Sequence, residues 1–387
     1  MGQGKAALPD VAQKLTLQEF LRACTTTDLR EIPQAEMLAL QFLREGTFQE
    51  RWRLVKIFAK LSDKAIAPLL AIAEDPLADT ELRWFAIRIL GQYRDPEAIA
   101  RLILLIDDCS EEFLLEEIMG TLVQLEAQAV DYLVPLLKKP DTRSLAVQAL
   151  CKLRYPQMIR PLLEIINGVE PLDHCLILET LSQFRQPEIL AALVGALKNP
   201  VAGVRRMAVK GLGFWAQSVD PLLLCEQVQP LLYDLDLQVC AQAGFTLSRL
   251  AIPQAAEAIA TVLASPHTPE PLRISLIQAL GWLAIPESLD ILESLLYGTP
   301  PAIVQEAIKV MGRISEPSRR HRGTSILLQF WASCPSPPPA SIQQAFVYAL
   351  GQLADPRAEG LLAALSHSQD KMIQLHAIAA LKKINRC

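Results

Sequence analysis

Five histidines, eight cysteines and one crowded set of carboxylates are the side chains here with the chemistry for catalysis or metal binding. Their spacing supports neither. His174, His267, His321, His367 and His376 are scattered and none is followed by Glu. No HExxH, GxSxG or glycine-rich phosphate loop after a strand occurs. His174 and Cys175 are neighbours, but adjacent residues on a helix point in different directions, so the pair reads as structural. Asp107, Asp108, Glu111, Glu112, Glu116 and Glu117 crowd one inter-helix turn. A helix N-terminus attracts carboxylates through its macrodipole, which accounts for most of the set; a metal or basic-partner site is the alternative. The cysteines, at 24, 109, 151, 175, 225, 240, 334 and 387, never form CxxC and mostly have apolar neighbours. That usage fits reduced, buried thiols in a cytoplasmic protein. No catalytic residue, metal or cofactor is therefore assigned.

What the chain does repeat is a scaffold. A small residue, an apolar anchor, often Gly, and a Pro six residues past the anchor recur, as in Ile89-Leu90-Gly91 with Pro96, Ala279-Leu280-Gly281 with Pro286 and Ala349-Leu350-Gly351 with Pro356. The anchors fall at Phe58, Leu90, Met119, Leu150, Leu181, Leu212, Leu247, Leu280, Met311, Leu350 and Leu381, with gaps of 29 to 39 residues and most often 31. A fixed period of this size marks stacked repeats. In residues 199–233, Val204, Ala208, Leu212 and Trp215 form one helical stripe, and Pro221 opens a second segment whose apolar face is Leu222, Leu223, Val228, Leu231 and Leu232. Each period is thus two antiparallel helices that must stack on the next period to bury their stripes.

The positions around the anchor have physical roles. Small residues four before it (Ala86, Ala146, Ala208, Ala243, Ala307, Ala377) allow close helix approach. Glycines one after it (Gly91, Gly120, Gly213, Gly281, Gly312, Gly351) each cost about 1 kcal/mol against Ala in a helix, so they imply crowded contacts. Arg51, Arg83, Arg143, Arg205 and Arg273, seven before it, read as a bonding ladder between repeats. The expected fold is all-α, a right-handed α-α superhelix of ten to eleven hairpins, with 1–47 as an N-terminal helical cap and 48–387 as one continuous array. The cations Lys382, Lys383 and Arg386 suit a final helix C-terminus.

The pattern Val204-Arg205-Arg206-Met207-Ala208 with Leu212-Gly213, and Leu82-Arg83 with Ala86, Leu90-Gly91 and Pro96, resembles HEAT repeats over roughly residues 50–387. The period near 31 resembles the phycobilisome-lyase-like HEAT subclass. The positions that mark tetratricopeptide and ankyrin repeats do not recur. Deoxyhypusine hydroxylase, a HEAT-like enzyme, needs His-Glu pairs to hold iron, and this chain has none. The resemblance alone implies a second functional reading, a subunit of a phycobilin lyase acting on phycobiliproteins or a phycobilisome-associated factor; any enzymatic role would be of that kind.

The residues themselves point to protein binding. Positions six and two before the anchor and two after it share one strip of the glycine-bearing helix, and the resemblance places that helix on the concave side. The strip holds eight basic residues against two acidic ones, with six aromatics, in a chain of formal charge −5. Trp84, Arg88, Arg206, Lys210, Phe214, Phe245, Arg249, Trp282, Lys309, Arg313 and Tyr348 are its candidate partner-binding residues, since aromatic and Arg side chains anchor protein interfaces. The negative total charge, the sparse bases and the lack of a Lys/Arg-rich tail favour an acidic protein over nucleic acid. The expected function is a non-catalytic adaptor or chaperone. The longest gap, 316–340, reads as an inserted loop whose Arg319-Arg320-His321-Arg322 run is a docking knob or a solvated turn. Composition, 51% hydrophobic with mean hydropathy +0.24, excludes disorder. No apolar run reaches membrane-spanning length. The N-terminus, Met1 to Ala6, lacks a signal-peptide core and a myristoylation Ser/Thr.

Overall fold

The computed structural model describes residues 16–26 and 34–384. The readings placed on Met1 to Ala6, Arg386 and Cys387 lie outside them. The described residues form 23 α-helices joined by tight turns and short 3-10 segments, with no strand. The fold is therefore an all-α helical repeat. No helix among these residues is long and apolar enough to cross a membrane. The chain divides into two compact units between Ile177 and Leu178.

In the first unit the anchor helices Phe48–Phe58, Thr80–Tyr93, Glu112–Val123 and Pro140–Leu153 pack successively on one another. In the second, Ala202–Gly213, Leu237–Ser248, Glu270–Trp282, Pro301–Met311, Ala340–Leu353 and Lys371–Ile384 do the same. Every anchor from Phe58 to Leu350 is at most 5% exposed. Burying such a side chain is worth about 1.5–3 kcal/mol, which explains why this position recurs. Leu381, on the last described helix, is only half-buried. The prolines six residues on behave as the sequence implies: Pro96, Pro187, Pro253, Pro286 and Pro317 occupy the first turn of an α-helix, and Pro156 and Pro356 open 3-10 turns. A Pro there sacrifices no helical hydrogen bond.

The arginine ladder is present. Arg83 donates through Nε to the Ala73 carbonyl (3.1 Å) and through Nη1 to Glu111 (2.7 Å). Arg51 likewise joins the Leu43 carbonyl to Glu81. Arg205 holds the Asn199 and Pro200 carbonyls through Nη1 and grips Asp234 with Nε and Nη2, both at 2.7 Å. Arg143 reaches Leu137 and Gly168 carbonyls, and Arg273 reaches only the Ser265 carbonyl. Each guanidinium satisfies carbonyls at the end of the preceding helix, where four have no helical partner. The first four also bond to the following repeat.

Three expectations need correction. Leu222 and Leu223 are 46% and 57% exposed, while Leu224 and Cys225 are buried, so the second stripe of that repeat starts with Leu224 and Cys225 and continues through Val228, Leu231 and Leu232 as expected. A Cβ on Gly120 would meet nothing within 4 Å, unlike those on the other anchor-following glycines. The basic run at 319–322 is neither knob nor turn. It lies in the first half of the 17-residue helix Pro317–Ser333. Arg319 donates to Ser288 Oγ (3.0 Å), Arg320 to the Leu353 carbonyl, and Arg322 pairs with Asp290. Those cations tie neighbouring repeats together.

Candidate functional site

Lys210, Phe214, Phe245, Arg249 and Trp282 come together from three successive helices of the second unit. They line a cleft of about 470 Å³ that Gly213, Gln242, Thr246 and Ser248 complete. That volume lies within the range of sites able to hold a side chain or small ligand. Phe214 caps Ala202–Gly213, Arg249 caps Leu237–Ser248, and Trp282 ends Glu270–Trp282, so the cleft sits at helix C-termini. Gly213 packs closely here: a Cβ would lie 3.2 Å from Thr246 Oγ1, a tight contact, and 3.6 Å from Arg249 Cδ, an ordinary one. Its lack of a side chain lets both approach, and Thr246 Oγ1 then donates to the Val209 carbonyl at 2.9 Å.

Trp282 is 73% exposed and Phe214 41%. Arg249 Nη1 donates to the Gly213 carbonyl (3.1 Å), and its guanidinium lies 5.3 Å from the Phe214 ring centroid. Helix C-termini carry roughly half a negative charge each, so a full cation on such an end leaves it net positive. Lys210 is less available, because its ammonium pairs with Glu179 at 2.8 Å. The arrangement suits an apolar or aromatic side chain laid against the exposed rings with an anionic group held at the rim by Arg249.

The remaining strip candidates do not line this cleft. Arg206 and Arg313 are exposed and form no side-chain hydrogen bond or ion pair among the described residues. Lys309 lies 3.8 Å from Glu306, and Tyr348, 49% exposed, meets His376 edge-on at 6.3 Å. In the first unit the two candidates are structural. Trp84 is 9% exposed, stacked between Trp52 (6.0 Å) and Phe113 (5.7 Å). Arg88 lies 4.6 Å over Trp52 and 4.9 Å over Trp84 and pairs with Glu117 at 3.2 Å. Burial pushes the Glu117 carboxyl above the usual carboxylate range even though Arg88 pulls it down. Trp52 escaped the sequence reading, although the strip offsets applied to Phe58 give Trp52, Lys56 and Lys60.

Several of the side chains considered first for chemistry are engaged in structure. Asp107 pairs with Lys139 and Glu111 with Arg83. His174 is buried, which lowers its pKa. Cys24, Cys225 and Cys240 are buried free thiols pushed up by desolvation. Among the described residues no three His, Cys, Asp or Glu side chains group as a metal would require.

A family profile described as HEAT repeats matches residues 36–122. Among curated proteins none matches the sequence. Among solved structures the chain is similar to Kap121p bound to Pho4p (14% identity, TM-score 0.63, 95% of this chain, 49% of that one). It is also similar to Kap121p bound to Ste12p (14%, 0.62, 95% and 45%). A third likeness is to Kap95p in a structure with RanGDP (11%, 0.57, 95% and 61%). The chain thus spans about half the length of these karyopherins. At such identity the likeness is one of fold, and it joins the profile match in making this a HEAT-like helical-repeat fold.

Proposed function

We propose that this protein is a non-catalytic adaptor or chaperone that holds an acidic protein partner on the exposed strip of its anchor helices, centred on the Phe214–Phe245–Trp282 cleft. The observation that carries the reading is Trp282, left 73% exposed beside Phe214 with Arg249 at its rim. Large aromatics left in water beside Arg are the usual anchors of protein interfaces. Arg206 and Arg313 extend the positive strip beyond the cleft. In two of the similar structures Kap121p is bound to another protein, Pho4p or Ste12p, which supports the class of ligand without naming it. The seven cysteines among the described residues are free thiols, which supports a reducing, cytoplasmic setting.

A photo-cross-linking residue at position 282 captures the partner, which is then titrated against wild-type protein and the Arg206→Glu/Arg249→Glu/Arg313→Glu variant. The variant is expected to bind at least tenfold more weakly, a loss of about 1.4 kcal/mol or more. Wild-type affinity should also fall with salt, since exposed charges are screened over about 10 Å at 0.1 M. Unchanged affinity and salt dependence in the variant would refute the reading.

A further inference from the structure

The first anchor helix carries a second charged surface that the cleft does not explain. Helices Leu17–Thr26 and Phe48–Phe58 line a groove of about 620 Å³. Its floor is apolar: Leu21, Cys24 and Ile57, walled by the 43%-exposed Trp52. Trp52 is a rigid wall, fixed by stacking on Trp84 and by the Arg88 guanidinium 4.6 Å over its ring. The rim is cationic, with Arg22, Arg53, Lys56 and Lys60, and no carboxylate appears among the described lining residues.

Nearby carboxylates close the starts of their own helices, and two of them also attract rim cations through space, Glu19 acting on Arg22 and Glu50 on Arg53. Glu19 accepts from Thr16 N (2.9 Å) and Oγ1 (2.8 Å), and Glu50 from Thr47 N (2.8 Å) and Oγ1 (2.9 Å), each closing the start of its own helix. Glu36 accepts from Ser62 Oγ at 2.6 Å. Arg53, Lys56 and Lys60 are exposed and form no side-chain hydrogen bond or ion pair among the described residues. Elsewhere in this unit the cations Arg51, Arg83, Arg88, Arg101 and Lys139 each have a carboxylate partner. A rim of four cations, outnumbering the two acids that act on it, over an apolar floor is the complement of an amphipathic acidic segment.

The spacing decides between a compact anion and an extended one. Arg53 and Lys56 lie on helix Phe48–Phe58, about 4.5 Å apart along its axis, and Lys60 stands in the turn two residues past its end, so the cations are strung out along the groove as carboxylates a turn apart would require. We propose that this groove receives an acidic amphipathic helix of a partner protein. About two turns of that helix lie along Phe48–Phe58, with apolar side chains against Leu21, Ile57 and Trp52 and carboxylates against Arg53, Lys56 and Lys60. This is the helix-in-groove mode of recognition. Residues 1–15 complement the groove poorly, carrying Lys5 and Lys14 against Asp10. Residues 27–33, with Asp28 and Glu31 against Arg30, are the intramolecular rival.

The probe is a fluorescent helical peptide of about 14 residues, roughly four turns, with Glu on one face and Leu on the other; its Gln counterpart is the control. The protein should bind the Glu peptide saturably with a Kd in roughly the micromolar range, and the Gln peptide at least tenfold more weakly. Arg53→Glu/Lys56→Glu/Lys60→Glu, checked for an unchanged circular dichroism spectrum, should lose at least tenfold in affinity. Arg206→Glu/Arg249→Glu/Arg313→Glu should retain it, which separates this groove from the cleft of the second unit. The proposal is overturned by no saturable binding, by equal binding of the Gln peptide, or by charge reversal that shifts Kd less than twofold. Displacement by inorganic phosphate at equal ionic strength would make the groove a simple anion site and overturn it too. Tighter peptide binding by Asp28→Asn/Glu31→Gln, tenfold or more, would assign the groove to the chain's own segment instead.

Discussion

Two glycines at the same repeat position should respond to alanine with opposite sign. Gly312 and Gly120 each follow an anchor, Met311 and Met119. A Cβ on Gly312 would lie 2.7 Å from Ala349 Cα and 2.9 Å from Ala349 Cβ. Carbon atoms settle at about 3.5–4.0 Å, so helices Pro301–Met311 and Ala340–Leu353 would have to separate by about 1 Å. The obstruction is buried backbone, flanked by Leu350 and Phe346 at 0% exposure, and no rotamer change relieves it. Gly120 faces open space because it borders a 350 Å³ cavity lined by Trp84, Phe113 and Met119.

In a helix Ala is favoured over Gly by about 1 kcal/mol. Gly120→Ala keeps that gain and should stabilise the protein by about 0.5–1 kcal/mol. Gly312 caps its helix just past Met311, so Gly312→Ala gains at most that much, and overpacking costs roughly 1–3 kcal/mol. With backbone as the obstacle the upper half applies, for a net loss of about 1–2 kcal/mol. Stability in a stacked array is a sum of repeat and neighbour contributions, so native-state hydrogen exchange resolved by segment is the assay. Exchange should quicken in Pro301–Met311 and Ala340–Leu353 for Gly312→Ala, and slow in Glu112–Val123 for Gly120→Ala. Shifts of the same sign in both variants would refute the steric argument.

Ala251→Gly should raise stability by about 0.5–1 kcal/mol in thermal unfolding, because exposed Ala251 sits at φ 53°, where an L-residue is strained by about 1–2 kcal/mol; an unchanged or lower midpoint would count against it. Arg205→Lys should cost about 1–3 kcal/mol in urea unfolding, since a single ammonium cannot replace the fork on Asp234 and two carbonyls as well, and a loss under about 0.5 kcal/mol would contradict the ladder. Hydrogen bonds from Arg357, helped by His321, hold the Asp355 carboxyl down at about 2 against an ordinary 3.8. A depressed folded-state value means stability that is present above pH 4 and is lost as pH falls through 2, worth about 2 kcal/mol at most. Asp355→Asn should therefore be less stable at neutral pH and lose less on acidification, and an acid profile parallel to wild type would exclude this pair as its source.

The anchors, the helix-opening prolines and the arginine ladder were legible because each performs one local task at one fixed offset. Interhelical crowding was legible only in part: Gly120 shares the motif, yet its neighbour position is a cavity, and the size of the opposing side chain belongs to the next repeat. The left-handed position four past the anchor, at Arg94, Arg154, Ala251 and Ala354, was not legible, because no glycine marks it. The strip shows the same division. Of the thirty strip positions from Trp84 to Lys383, only Trp84 and Thr121 are buried, so helical period identified the face correctly. The excess of eight bases over two acids stands, but it does not say which bases are unpaired. Glu117 and Glu179 stand two before their anchors, level with Arg88 and Lys210 at the same offset one repeat away, and each neutralises that cation. Equal offsets in successive repeats are lateral neighbours, so opposite charges there pair within the protein. The positions two after the anchor have no such acid beside them. The strip's unneutralised positive charge therefore comes from Lys152, Arg249, Arg313 and Lys383, two past their anchors, with Arg206, rather than from Lys210 or Arg88 in mid-helix.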